Sequence, residues 1–126
     1  MKVNGLAHIG IPTGDMAATR TFYQEIGFDV VFEMKNDDGE IRVTFLKCGN
    51  VMLETYVTDS PALKAGAINH VALDVEDIEA AYETAKARGY KMLDSEIRFL
   101  PFFENGTRFF NVEGPNSEIV EFSVVL

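Results

Sequence analysis

A chain of 126 residues, 47% hydrophobic and with ten phenylalanines, is one domain-sized unit with enough apolar side chain for a packed core. Its formal charge of −9 argues against nucleic acid or an anionic membrane as partner, because both reward basic patches. An anionic small substrate stays open, since a bound divalent cation reverses the local field. The single cysteine, Cys48, excludes an internal disulfide framework. No apolar run approaches the ~18 residues of a membrane span. The opening MKVNGLAHIG lacks the apolar stretch and cleavage site of a signal peptide, so the expectation is a soluble, cytoplasmic protein.

The elements follow in order. Leu6–Pro12 reads as a strand. Asp15 is the N-cap of a helix over Met16–Ile26, with Met16, Thr19, Tyr23 and Ile26 near helical spacing and Gly27 at its exit. Phe28–Met34, Glu40–Lys47 and Val51–Thr58 read as strands, with turns at residues 36–39 and at Gly49-Asn50. Residues 59–67 carry Pro61 and Gly66 and are too few for a separate domain. Ile68–Val75 is the next strand, and Asp77 caps a helix to about Arg88 that Gly89 ends. Tyr90–Asp94 is a strand, Arg98–Gly106 an irregular loop with Pro101 and three phenylalanines, and Thr107–Val112 and Glu118–Val125 close the chain as strands.

The second half repeats the first. HIGIPTGDMAATRTFYQEIGF at residues 8–28 aligns without a gap on HVALDVEDIEAAYETAKARGY at residues 70–90. His8 falls on His70, Asp15 on Asp77 and Gly27 on Gly89, and these are the only two histidines of the chain. The expected fold is α+β: one domain over 1–126 built from two βαβββ modules, about 5–58 and about 67–126. A helix would cover one face of each sheet, and the opposite faces would curl into a cleft.

Strand parity picks out the residues of that cleft. His8 and Gly10 oppose the apolar face of Ala7, Ile9 and Ile11. His70, Ala72 and Asp74 oppose Val71, Leu73 and Val75. In the last strand of each module, Glu54 lies opposite Leu53 and Thr55, and Glu121 opposite Val120 and Phe122. A carboxylate within an apolar strand is costly to desolvate unless it is paired or binds a cation. Two carboxylates and two imidazoles form an N2O2 set suited to one divalent ion: Ni, Co, Zn, Mn or Fe. Open positions left for water would make the site catalytic.

At these residues the chain resembles the vicinal oxygen chelate superfamily. That superfamily includes glyoxalase I (lactoylglutathione lyase), methylmalonyl-CoA epimerase, extradiol dioxygenases, fosfomycin-modifying enzymes and bleomycin-binding proteins. The resemblance also rests on Leu53-Glu54-Thr55 and on FFNVEGPNSEIVEF at residues 109–122, and covers essentially the whole chain. It implies the glyoxalase/bleomycin resistance/dihydroxybiphenyl dioxygenase fold, with His8, Glu54, His70 and Glu121 as metal ligands. The His-Glu-His-Glu set is similar to compact bacterial glyoxalase I; the epimerase usually has Gln at the place of Glu54. Where glyoxalase I commonly holds glutathione with Arg and Asn, four residues after the first and second ligands, this chain has Pro12 and Thr58.

The resemblance implies a metal-dependent lyase or isomerase. One glutamate, Glu121 first and Glu54 second, removes a proton α to an oxygen-bearing carbon and returns it. The expected partner is a small molecule, a thiol adduct or an acyl thioester, and relatives often form homodimers. The alternatives are an epimerase or a non-catalytic binding protein on the same fold. Phe99, Phe102 and Phe103 are candidates for an apolar pocket or lid. Arg42, Lys47 and Arg108 are candidates for meeting a substrate anion, and Tyr56 shares the face of Glu54. Cys48 reads as structural.

Overall fold

Asp15 and Asp77 open the two helices of the computed structural model, which describes residues 1–2, 4 and 6–126. Helix α1 spans Met16–Glu25 and α2 spans Ile78–Ala87. Each aspartate has extended backbone, and its side chain accepts the N–H of the third residue on, Ala18 or Ala80, at 2.9 Å. That bond satisfies a donor the helix cannot satisfy internally. Asp77→Ala is expected to cost about 1 kcal/mol of stability, read from urea denaturation midpoints. Gly27 (φ 106) and Gly89 (φ 71) end the helices in the left-handed region. Beyond them Phe28 N–H donates to Tyr23 O at 3.0 Å and Tyr90 N–H to Ala85 O at 3.1 Å. Gly5, where the first module was expected to start, lies outside the described residues.

The chain divides into two compact units, Met1–Leu63 and Lys64–Leu126. The first holds β1 (Ile9–Thr13), α1, β2 (Asp29–Lys35), β3 (Ile41–Cys48) and β4 (Val51–Val57). Its sheet runs β1-β4-β3-β2, with β1 parallel to β4 and the other pairs antiparallel. The parallel β1–β4 pair needs a crossover, and the segment leaving β1 through α1 provides it. Met16, Thr19, Phe22 and Tyr23 of α1 are buried, as are Leu46 of β3 and Leu53 of β4. Four threonines share this interior. Thr13 and Thr19 hydroxyls are 2.9 Å apart, and Thr55 Oγ1 donates to Thr44 O at 3.1 Å, so most of these polar groups are satisfied where they are buried.

The second unit holds β5 (His70–Asp74), α2, β6 (Lys91–Met92), β7 (Arg98–Leu100), β8 (Thr107–Glu113) and β9 (Ile119–Val125). Its sheet runs β5-β9-β8-β6, with β5 parallel to β9 and β7 paired to β8. Phe110, Val112, Val120 and Phe122 bury their side chains beside Ile78 and Ala85 of α2 in the core residues of this unit. Phe110 stacks on Phe122 at 5.1 Å, and Tyr82 of α2 meets Phe110 edge-on at 5.1 Å. The two units thus repeat the βαβββ order, and the second adds one strand.

Most boundaries fall within one residue of the sequence reading, and four places differ by more. The first strand starts at Ile9 and the fifth at His70, because Leu6 and Ile68 are 72% and 79% exposed and bury nothing that would hold them in a ladder. The expected strand Tyr90–Asp94 shrinks to Lys91–Met92, where Lys91 Nζ lies 2.7 Å from Glu113 and holds that carboxyl below the usual carboxylate range. The side chain of Asp94 then accepts the backbone N–H of Asn111 at 2.9 Å, so a carboxylate replaces a main-chain acceptor and the ladder ends. Arg98–Leu100, expected as loop, pairs with Phe109–Thr107. Pro101 stands just past that strand, where it removes no ladder donor.

Candidate metal and substrate site

The two repeated histidines stand at the same register against the two glutamates. Gly10, two residues after His8, pairs with Glu54 across β1–β4; Ala72, two residues after His70, pairs with Glu121 across β5–β9. Residues two apart in a strand share a face, so each imidazole lies diagonally across from a carboxylate. His8 Nε2 is 3.2 Å from Glu54 Oε2, and His70 Nε2 is 3.7 Å from Glu121 Oε2. His8 is not itself in a strand; it precedes β1 by one residue. The carboxylates are the better covered members, with side chains 31% and 17% exposed against 42% and 44% for the imidazoles.

The surroundings of the pairs are not repeated. His70 Nδ1 lies 3.0 Å from Asn69 Oδ1; donating there leaves the Nε2 lone pair free on the glutamate side. At the matching position before His8 the chain has Ala7, and the His8 ring meets the edge of Phe45 at 5.7 Å. Across the strand from Glu54 stands Phe45, packed on Phe32 at 5.9 Å; across from Glu121 stands Asn111. Asn111 donates both its backbone N–H and its side-chain N–H to Asp94 Oδ2, at 2.9 and 2.8 Å.

Among the described residues no three His, Cys, Asp or Glu side chains gather as a ready cation cluster. The donors are one His–Glu pair in each unit. Each pair suits a divalent ion: two donors held about 2.0–2.2 Å from a metal stand roughly 2.8–3.8 Å apart when the angle between them is about 90–120°. Both observed separations fall in or at the edge of that span. The imidazole nitrogen and carboxylate oxygen are the donor types that Zn, Ni, Co, Fe and Mn accept.

A cavity of about 430 Å³ in the second unit is bordered by His70 and Glu121. Leu93, Leu100, Phe102, Phe109 and Ile119 form its apolar wall, and Asp94, Asn111 and Thr107 its polar part. The hydroxyl of Thr107 is buried with no hydrogen-bond partner. Sequence reasoning missed Asn69, Asp94, Asn111 and Thr107. For Asn69 the signal was available, an amide directly before the repeated histidine; Asn111 and Thr107 join the site only through the pairing of β8 with its neighbours, and Asp94 through its bonds to Asn111 beyond β6.

The other candidates scatter. Of the three phenylalanines, Phe102 reaches the cavity wall, while Phe99 lies against Gly106 and Phe103 is 78% exposed with φ 59, a left-handed conformation that an aromatic residue rarely takes. Arg108 is engaged by Glu79. Arg42 and Lys47 lie on β3, Tyr56 is 38% exposed beside Gly10, and Cys48 is exposed at the end of β3 rather than packed. No helix among the described residues is long and apolar enough to cross a membrane.

Residues 5–120 match the family model of the Glyoxalase/Bleomycin resistance protein/Dioxygenase superfamily. An uncharacterized Bacillus subtilis protein, YwbC, is 34% identical over 122 residues, covering 91% of this chain and 93% of its own. The mitochondrial methylmalonyl-CoA epimerase of Mus musculus is 26% identical over 107 residues; the match covers 77% of this chain and 60% of the epimerase. Among solved structures, a glyoxalase family protein from Enterococcus faecalis superposes with a TM-score of 0.77 at 26% identity, covering 96% of this chain and 98% of that one. Two more share the fold at 18% identity. The fosfomycin resistance protein FosX of Listeria monocytogenes, solved with Mn(II), has a TM-score of 0.77 and covers 99% and 95% of the two chains. Lactoylglutathione lyase of Agrobacterium tumefaciens has a TM-score of 0.72 and covers 97% and 94%. With the family model spanning nearly its full length and the βαβββ order present in both units, this chain belongs to the Glyoxalase/Bleomycin resistance protein/Dioxygenase superfamily.

Proposed function

We propose that this chain is a metal-dependent lyase or isomerase of the glyoxalase I type, in which His8, Glu54, His70 and Glu121 supply four ligands to one divalent ion. The observation that carries the reading is the double occurrence of a His–Glu pair at the same strand register. A structural role for an ion pair needs no such repetition in both copies of a duplicated unit. When bound, a divalent ion supplies positive charge that stabilises negative charge developing on a neighbouring oxygen.

The work of moving the proton falls to the chain. Glu121 is the general base: its carboxylate takes a proton from the carbon next to the oxygen and returns it. Return to the adjacent carbon is isomerisation, as on a hemithioacetal of a 2-oxoaldehyde and a thiol. Return to the opposite face of the same carbon is epimerisation, with Glu54 as the second base. Asn69 fixes the ring of His70 so that Nε2 stays a lone-pair donor. A homodimer is the assembly that goes with this reading.

Epimerisation of an acyl thioester is the second reading, favoured by the 26% identity to methylmalonyl-CoA epimerase. Glu54 in place of the usual Gln of the epimerases favours the first, and Pro12 and Thr58 speak against glutathione as the thiol. Titration of the metal-stripped protein with Ni, Co, Zn, Mn and Fe is expected to show one ion bound per chain. His8→Ala and His70→Ala are each expected to abolish that binding. The loaded protein is expected to exchange an α-proton of a hemithioacetal or an acyl thioester with solvent deuterium. One ion per chain without exchange on either class overturns the enzyme in favour of a binding protein. Two independent ions per chain overturn the four-ligand site.

A further inference from the structure

The cavity of the second unit has its own chemistry, and it is one-sided. No lysine or arginine lines it, while two carboxylates, Asp94 and Glu121, do. Arg98, which touches two of the lining residues, is already engaged: its guanidinium lies 3.5 Å from Asp94 and 5.3 Å from the centre of the Phe109 ring. Arg98 and Asp94 therefore cancel, and Glu121 leaves the wall negative. In the metal-free chain an anionic group placed in the cavity meets that negative charge and loses its hydration.

The rest of the wall is apolar or neutral. Phe102 is 54% exposed and Leu93 44% exposed, so both present apolar surface to an incoming ligand at the mouth. The next residue, Phe103, holds a left-handed backbone, and strained backbone of this kind clusters at ligand-binding loops. The volume, about 430 Å³, stands near the lower end of the range for small-molecule sites. Across from Glu54 stands Phe45, packed on Phe32, where Asn111 stands across from Glu121, so the repeat is broken where a substrate would be read.

We propose that this cavity is the specificity pocket of the site and takes an uncharged, mainly apolar substituent of the substrate, a short branched alkyl group or a single aromatic ring, and refuses a carboxylate or phosphate. The pocket rests on the enzymatic reading for its role but not for its binding preference. Two probes of matched size separate the charge: neutral 2-hydroxyacetophenone and anionic benzoylformate. Each is titrated into the full metal-stripped chain and followed by amide NMR shifts. The neutral ketone is expected to move the amides of Leu93, Phe109, Asn111 and Ile119, and to bind about tenfold more tightly than the anion.

Leu93→Lys places a cation at an exposed position of the mouth, with little consequence for folding, and is expected to bring the anion to parity with the ketone. Equal or tighter binding of benzoylformate by the unmodified chain overturns the proposal, as do shifts confined to residues outside the cavity. Ketone binding in the cavity by a chain that exchanges no α-proton supports the pocket and sinks only the enzymatic reading. Proton exchange with neither probe in the cavity sinks only the pocket.

Discussion

Glu121→Gln is expected to lower α-proton exchange by about 10²–10⁴-fold, the usual contribution of a positioned general base. Glutamine keeps the size of the side chain and an oxygen acceptor, but it cannot carry a proton away. Glu121 is expected to matter more than Glu54 because it borders the cavity, and its side chain is 17% exposed against 31%. The metal content of both variants is measured beside the exchange rate, so that loss of the base is told apart from loss of the ion. Full activity in Glu54→Gln and in Glu121→Gln, with metal retained, would exclude both glutamates as bases. Glu121→Gln also removes the negative charge that biases the pocket, so benzoylformate is expected to bind it better than it binds the unmodified chain.

Phe110→Ala is expected to give the largest loss of stability, about 3–5 kcal/mol. Phe110 is 0% exposed and is held between the stacked ring of Phe122 and the edge of Tyr82. Removing it forfeits the transfer energy of a whole ring and leaves a void between α2 and the β8–β9 pair, whose residues it joins. Folded domains commonly hold only ~5–15 kcal/mol in total, so the variant is expected to melt near or below room temperature if the chain sits at the low end. Urea denaturation of both proteins measures the difference. A loss under about 1 kcal/mol would mean that the second unit closes over the gap and that its core is not centred on this ring. Phe103→Ala serves as the contrast: its side chain is 78% exposed, and the expected change is within about 0.5 kcal/mol.

Much of the fold was legible because its signals are local. Asp15 and Asp77 cap their helices in the structure as in the sequence, and Gly27 and Gly89 end them, since a cap depends on residues three or four apart. Strand faces were legible for the same reason. The alternation in β4 and β9 put Leu53, Thr55, Val120 and Phe122 inside, and these are buried. The errors came where a distant partner decides. Arg98–Leu100 became a strand because β8 offered it an edge, and Tyr90–Asp94 stopped short because the Asp94 side chain took the amide of Asn111.

By itself the sequence determined the duplication, the βαβββ order of both halves, and one histidine and one glutamate in each, all of which follow from periodicity and repetition along the chain; the superfamily came from the resemblance of its motifs. Only the tertiary structure decided that both glutamates stand two residues on from their histidines across a parallel ladder, although 46 residues separate one pair and 51 the other. It alone decided that Asn69 orients His70, and that the second unit carries a pocket with carboxylates and no cation. The physical reason is that register and cavity shape are set by hydrogen bonds and packing between strands far apart in the chain. A side chain's parity is carried by its own strand, but its neighbours are chosen by another.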